Sequence, residues 1–178
     1  GLGDVYKRQT MILVTGGTGF IGRALVRQLV EAGHEVRILI RPSPSSPNLP
    51  QGVPVEVAVV SLNDLRGLRA ALRGVDHIYH LAGGEGSKNL FETDIEGTKT
   101  LVEAAEGASV QQIIYLSHLG ADKASAFPAF RAKGLAEEFI RKSEVPYTIL
   151  RSSIVFGPED NFTTKISHLL RMTPGIAF

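Results

Sequence analysis

The stretch from Met11 to Gly22, MILVTGGTGFIG, constrains this chain more than any other. Four apolar residues, Met11-Ile12-Leu13-Val14, form the continuous run expected of a strand covered on both faces. The chain then turns through Thr15-Gly16-Gly17-Thr18-Gly19 and enters an apolar-periodic segment from Phe20 to Ala32. The order is strand, glycine turn, helix. Gly17, Gly19 and Gly22 fit G-x-G-x-x-G, and Gly16, Gly19 and Gly22 fit T-G-x-x-G-x-x-G equally well. A side chain in such a turn keeps the backbone away from a pyrophosphate, and a Cβ at Gly22 holds helix and strand apart. The free N–H groups and dipole at the helix start then face the anion. The motif directly follows an apolar strand and opens a helix, which is the context dinucleotide binding demands. The other phosphate-cradling pattern, G-x-x-x-x-G-K-[ST], is absent.

The rest of the chain repeats the alternation. The first helix is expected to bury Ile21, Leu25, Leu29 and Ala32 and to stop at Gly33. Strand two is predicted over Glu35–Ile40, ending at Arg41-Pro42, followed by a Pro/Ser-rich loop. Strand three is predicted over Val53–Val60, and Asn63 or Asp64 can cap a short helix closed by Gly74. Strand four, His77–Leu81, runs into Ala82-Gly83-Gly84, and a mostly helical stretch follows from Asn89 to Glu106. Strand five is Gln112–Ser117, a helix covers about Phe130–Ser143, and strand six is Tyr147–Val155. Gly157-Pro158 breaks the chain before a last helix, Phe162–Met172. Alternating strands and helices imply an α/β fold, a doubly wound parallel (Rossmann) sheet of order 3-2-1-4-5-6 with right-handed crossovers. Ligand is expected at the carboxyl ends of the strands, where that order reverses.

Residues 1–10, GLGDVYKRQT, are polar and aperiodic, and read as a non-native appendage. The dinucleotide-binding domain is then 11–160, with 161–178 the start of a truncated substrate lobe. With 43% hydrophobic and 21% charged residues, a net charge of +1 and no basic run, nothing points to nucleic acid. No apolar run approaches the ~18 residues of a membrane span. The chain has no cysteine, which removes disulfides, thiolate metal sites and a Cys nucleophile, and fits a reducing, cytoplasmic setting.

Strand two predicts the cofactor. An NAD site usually places an acid there to accept from the ribose 2′-hydroxyl. Here the position is Ile40-Arg41, and no acid occurs from Val36 through Val55. A guanidinium binds a 2′-phosphate bidentately, whereas a carboxylate repels it. NADP(H) is therefore favoured over NAD(H).

With these residues in hand, the chain resembles the extended and atypical short-chain dehydrogenase/reductase superfamily. It is most similar to the NAD-dependent epimerase/dehydratase-like and NmrA-like groups and to the NADPH-binding accessory subunit of respiratory complex I. The resemblance covers about Met11 to Met172 and is carried in order by VTGGTGFIG, Arg41, GVDHIYHLAG, DIEGTKTLVEAA, IIYLSHLGAD, RAKGLAEEFI and TILRSSIVFGP. It implies that Gly16, Gly17, Thr18, Gly19, Phe20, Ile21 and Gly22 line the pyrophosphate, and that Arg41 meets the 2′-phosphate. It places Ala82 and Gly83 beside the riboses, Ser117 at the catalytic Ser/Thr position, and Lys133 on the nicotinamide ribose. A small-molecule substrate with a carbonyl or sugar-like group is implied, as is a homodimer or a place in a larger complex.

The departures matter as much. Four residues before Lys133, where the family carries its general-acid tyrosine, stands Ala129. Ser61 stands where an adenine-contacting Asp is common, and Asp94 replaces the usual Asn of N-x-x-G-T. His118, beside Ser117, is a substitute acid/base candidate, since its unperturbed pKa lies near neutrality. No G-x-S-x-G elbow surrounds Ser117. Tyr79 and Tyr115 fall inside apolar strands and read as core residues with hydrogen-bonded hydroxyls. His77 and His80 point to opposite faces of one strand and cannot share a metal, so no metal is expected. Glu92, Asp94 and Glu96 read as a solvated helical face. The competing function is a non-catalytic NADP(H)-binding sensor or structural subunit.

Overall fold

The computed structural model describes residues 9–44, 46–47, 49–83, 90–157 and 160–172. Most of the N-terminal appendage, Gly84, Asn89, Pro158 and the chain end after Met172 thus lie outside the described residues. Six strands form one sheet in the order β3-β2-β1-β4-β5-β6, every neighbouring pair parallel. They are β1 (Met11–Thr15), β2 (Glu35–Ile40), β3 (Glu56–Val59), β4 (His77–His80), β5 (Gln112–His118) and β6 (Tyr147–Ser152). The helices are α1 (Phe20–Glu31), α2 (Leu65–Ala71), α3 (Thr98–Glu106), α4 (Pro128–Lys142) and α5 (Asn161–Met172), with a π-helical stretch, Leu90–Gly97, leading into α3. Among the described residues no helix is long and apolar enough to cross a membrane.

The central strands are apolar because both faces are covered. All five residues of β1 are buried. One core layer groups Leu13, Leu68, Ile78, Leu101, Tyr115 and Ile140, and the other, under α1, groups Ile12, Val14, Val26 and Ile38. At the amino ends of the strands, Asp76 accepts from the Met11 N–H (2.9 Å) and the Gln111 side-chain amide (3.2 Å), tying β1, β4 and β5. At the edge, Arg37 pairs with Glu56 (2.7 Å) and donates to the Ala71 carbonyl at the end of α2.

Several expectations are corrected. Helix α1 buries Gly22, Val26 and Leu29 rather than Ile21, Leu25 and Ala32; Ala32 is exposed. The tight contact at Gly22 fixes which face of the helix turns inward. Strand three begins only at Glu56, because Pro54 lacks an N–H for a ladder and pairing with β2 starts at Arg37↔Glu56. Strand six ends at Ser152, opposite the last residue of β5. The predicted helix over 89–106 is divided between the π-helical stretch and α3. Gly33, with φ +86°, closes α1: the His34 N–H reaches the Leu29 carbonyl (3.0 Å) and the Gly33 N–H that of Val30 (2.9 Å).

Candidate dinucleotide site

Each glycine of the turn has a distinct job. Gly16 has φ +71°, and a Cβ there would lie 2.7 Å from the Ala82 nitrogen, so only glycine lets the turn touch the end of β4. A Cβ on Gly22 would fall 2.1 Å from the Gly16 carbonyl oxygen, and one on Gly17 would press Ile38 at 2.8 Å. Gly19 differs: it is exposed, and a Cβ there would meet only the Gly16 oxygen, at 3.3 Å. The protein interior does not require glycine at 19, which lines the cleft in front of α1. Thr18 is held from behind by Arg23, whose guanidinium donates to its carbonyl (2.8 Å).

This turn forms one wall of a cleft of about 760 Å³ at the carboxyl ends of β1, β2 and β4. Gly16, Thr18 and Gly19 line it at the centre, Arg41, Ser43 and Ser46 at one end, and Ala82, Gly83 and Thr93 at the other. Gly17 and Gly22 face inward instead, and Phe20 lies where a Cβ on Gly157 would touch its ring at 3.4 Å. Ile21 is half-buried beside them. Leu62 closes the floor and packs against Gly97, where a Cβ would sit 2.9 Å from the Leu62 Cβ. A cradle of backbone with space only on the cleft side, at a helix N-terminus, fits a dinucleotide pyrophosphate.

Beyond Gly83 lie the residues assigned to chemistry. Lys133, on α4, reaches back to the sheet: its ammonium is 2.8 Å from a carboxylate oxygen of Asp94, 3.5 Å from the Leu116 carbonyl and 5.0 Å from the Tyr115 ring centre. A Cβ on Gly83 would be 3.5 Å from that ammonium and 3.7 Å from the Asp94 oxygen, so the pair lies directly under the cleft end. Asp94 is 0% exposed, which corrects the expectation of a solvated acidic face. The wider π-helical turn carries Asp94 inward while Thr93 faces the cleft.

Ser117 is buried and donates its hydroxyl to Glu137 (2.6 Å). The same carboxylate accepts from Arg151 (2.8 and 2.6 Å) and from Arg141 (2.9 Å). Burial pushes the Glu137 carboxyl up, but the hydrogen bonds from Arg151, Ser117 and Arg141 outweigh it and hold it at about 2. His118 accepts the Gly120 N–H on Nδ1 (3.1 Å) and stacks on Phe130 at 4.8 Å. Ala129 is exposed on the first turn of α4, with Phe127 and Phe130 beside it. The structure therefore brings Lys133 behind Gly83, leaves His118 at the end of β5 against Phe130, and turns Ser117 toward Glu137.

Sequence reasoning missed a buried chain behind the glycine turn. The Ala82 N–H donates to the Thr15 hydroxyl (3.3 Å), that hydroxyl meets His80 Nδ1 (2.6 Å), and His80 Nε2 meets the Thr98 hydroxyl (2.9 Å). A neutral imidazole has one N–H and one lone-pair nitrogen, so His80 donates to one of the two threonine hydroxyls and accepts from the other. Burial, then the Lys133 charge, lowers the His80 pKa to about 3, so the ring is neutral. Tyr115 stacks on His80 at 5.3 Å, but its buried hydroxyl has no hydrogen-bond partner among the described residues, against the expectation. Burial, followed by the Asp94 and Glu137 charges, raises its pKa. Glu137 was detectable in principle: it stands four residues after Lys133 on the sheet-facing side of α4, where a charge demands a partner.

Comparison with known proteins agrees with this geometry. A family model described as NAD(P)H-binding matches residues 16–171. The photosystem II assembly factor Ycf39 of Cyanophora paradoxa is 30% identical over 142 residues, covering 79% of this chain and 44% of that protein. A short-chain dehydrogenase/reductase superfamily protein from Agrobacterium tumefaciens, solved with bound NAD, superposes with a TM-score of 0.68 at 28% identity, over 79% of this chain and 48% of the other. UDP-glucose 4-epimerase from Thermotoga maritima superposes with a TM-score of 0.71 at 25% identity, over 85% of this chain and 58% of the other. The chain spans between about a third and a half of the length of the curated relatives it matches.

Proposed function

The chain belongs to the NAD(P)H-binding family, within the short-chain dehydrogenase/reductase superfamily, and from that premise we propose that its cleft binds NADP(H) in preference to NAD(H). One observation carries the preference. Arg41, Ser43 and Ser46 line the end of the cleft at β2, and no acid stands at that strand's end. A guanidinium and two hydroxyls suit a 2′-phosphate, and a lone 2′-hydroxyl leaves them little to bind. Gly16, Thr18 and Gly19 would hold the pyrophosphate, and Ala82, Gly83 and Lys133 the nicotinamide riboside. When bound, the group supplies a hydride donor or acceptor; the chain supplies its grip and orientation.

The site supports binding more directly than turnover. With Ala129 in place of a tyrosine, and with the Ser117 hydroxyl given to Glu137, the two proton-handling positions of the family are filled by groups that cannot serve a substrate oxygen. This favours a sensor or a subunit of a larger assembly, held in a reducing, cytoplasmic compartment. One relative, Ycf39, is a photosystem II assembly factor. The second reading is an oxidoreductase or epimerase/dehydratase acting on a carbonyl or sugar-like substrate. It is supported by His118, the last residue of β5, which in this reading would move a proton in the tyrosine's stead.

Calorimetric titration with NADPH and, separately, NADH tests the proposal. Tight NADPH and weak NADH binding is expected; equal affinities remove Arg41 from the site, and no binding of either ends the reading. A stopped-flow search for NADPH oxidation with carbonyl substrates, compared with His118→Ala, separates the two roles.

A further inference from the structure

A dinucleotide laid across this cleft with its 2′-phosphate at Arg41 and its pyrophosphate at Gly19 must place its other ring at the Gly83 end. That end is floored by an ion pair. The Lys133 ammonium and the buried Asp94 carboxylate are 2.8 Å apart, and a Cβ built on Gly83 would lie 3.5 Å from the one and 3.7 Å from the other. Among the described residues, the other buried carboxylate nearby is Glu137, which is bound by Arg151, Arg141 and Ser117. The neutrality of the cleft floor therefore depends on Asp94.

We infer that Asp94 is a positioning residue that balances the Lys133 charge and so sets the preference of the cleft between oxidised and reduced nicotinamide. The inference rests on the dinucleotide reading above. The two forms differ by one positive charge on the ring. An uncompensated ammonium beneath the ring disfavours the oxidised form; the neutral pair removes that penalty, and a lone buried carboxylate would reverse it. Asp94 is fully buried and touches no ligand; it acts through Lys133.

The test is the ratio of NADP⁺ to NADPH affinity, measured by calorimetry on the same chain and on two variants. Asp94→Asn leaves Lys133 bare, and the ratio should fall by about threefold to thirtyfold, the range for one unit charge at short distance in a partly solvated cleft. Lys133→Gln leaves the carboxylate, and the ratio should rise. Opposite movement from two substitutions in one pair is not a result of general structural damage, which weakens both forms together. If Asp94→Asn does not fold, as judged by circular dichroism, the rise in Lys133→Gln decides alone. Ratios unchanged in both variants while wild type binds overturn the inference and leave the dinucleotide reading standing. A wild-type chain that binds neither form overturns both.

Discussion

Replacing Gly22 with alanine separates the glycines that build the fold from the exposed one that lines the cleft, Gly19. The new Cβ would lie 2.1 Å from the Gly16 oxygen, 2.7 Å from the Gly17 Cα and 2.8 Å from the Gly16 carbonyl carbon. Ordinary contact begins near 3.4 Å, so helix and turn must part by more than 1 Å. The obstacle is backbone, which places the cost at the upper end of overpacking, about 3 kcal/mol. Alanine in a helix recovers up to about 1 kcal/mol relative to glycine. The net loss is about 2 kcal/mol, equivalent to a fall of roughly 4–8 °C in Tm for a chain of this size. Gly19→Ala meets only one oxygen at 3.3 Å and has no positive φ to forfeit, so its Tm should stay within about 1–2 °C of wild type. Its Cβ would instead enter the cleft where the proposed pyrophosphate would lie, and NADPH affinity should drop at least about tenfold. Thermal denaturation and titration of both variants check this pair. A Gly19→Ala protein that binds normally, or a Gly22→Ala protein of unchanged Tm, refutes the division of labour.

The remaining predictions concern charge. Arg41→Asp should move the preference from NADP(H) toward NAD(H) by about 1–3 kcal/mol, read as the ratio of the two dissociation constants; an unchanged ratio excludes Arg41 from contact. His80, lowered from 6.5 to about 3, is neutral when folded but protonates in the unfolded chain. Its contribution is intact above pH 6.5 and should be lost at up to roughly 1.4 kcal/mol per pH unit as pH falls toward 3. His80→Asn should flatten urea-denaturation stability between pH 6.5 and 5, a window in which Glu137 is silent. Glu137, lowered from 4.5 to about 2, stabilises above pH 4.5 and loses that stability as pH falls through 2. Glu137→Gln should destabilise at pH 7 and lessen the acid sensitivity below pH 4.5; a variant as stable as wild type at pH 7 would mean the Arg151 bridge contributes nothing.

The sheet was legible because its signals are local. An apolar run ending in a glycine turn specifies β1, and Glu35–Ile40 between Gly33 and Pro42 specifies β2 to the residue. The glycine turn was legible for the same reason, since strand, turn and helix are contiguous. Asp94 was not, because charges at 92, 94 and 96 resemble any solvated face in one dimension. Only the wider π-helical turn, together with Lys133 arriving from α4, brings that carboxylate inside. Gly134 was likewise silent: a Cβ there would lie 2.3 Å from the Lys123 nitrogen, a contact between a helix and a loop eleven residues earlier.

Those misses share a pattern that bears on function. The residues whose types suggested chemistry, Ser117 and Lys133, each meet a buried carboxylate that sequence reasoning did not identify, Glu137 and Asp94. A hydroxyl donating to a doubly arginine-bound carboxylate has no proton to offer a substrate, because releasing it would leave that carboxylate short of a partner. An ammonium matched by a buried carboxylate retains donors that the carboxylate does not use, as the proposed grip on a ribose requires. The same fold thus weakens the case for proton transfer at Ser117 while preserving that for cofactor binding at Lys133. Removing a carboxylate should therefore do more than weaken the fold: Glu137→Gln would return the Ser117 hydroxyl to other acceptors, and Asp94→Asn would return a positive charge to the cleft.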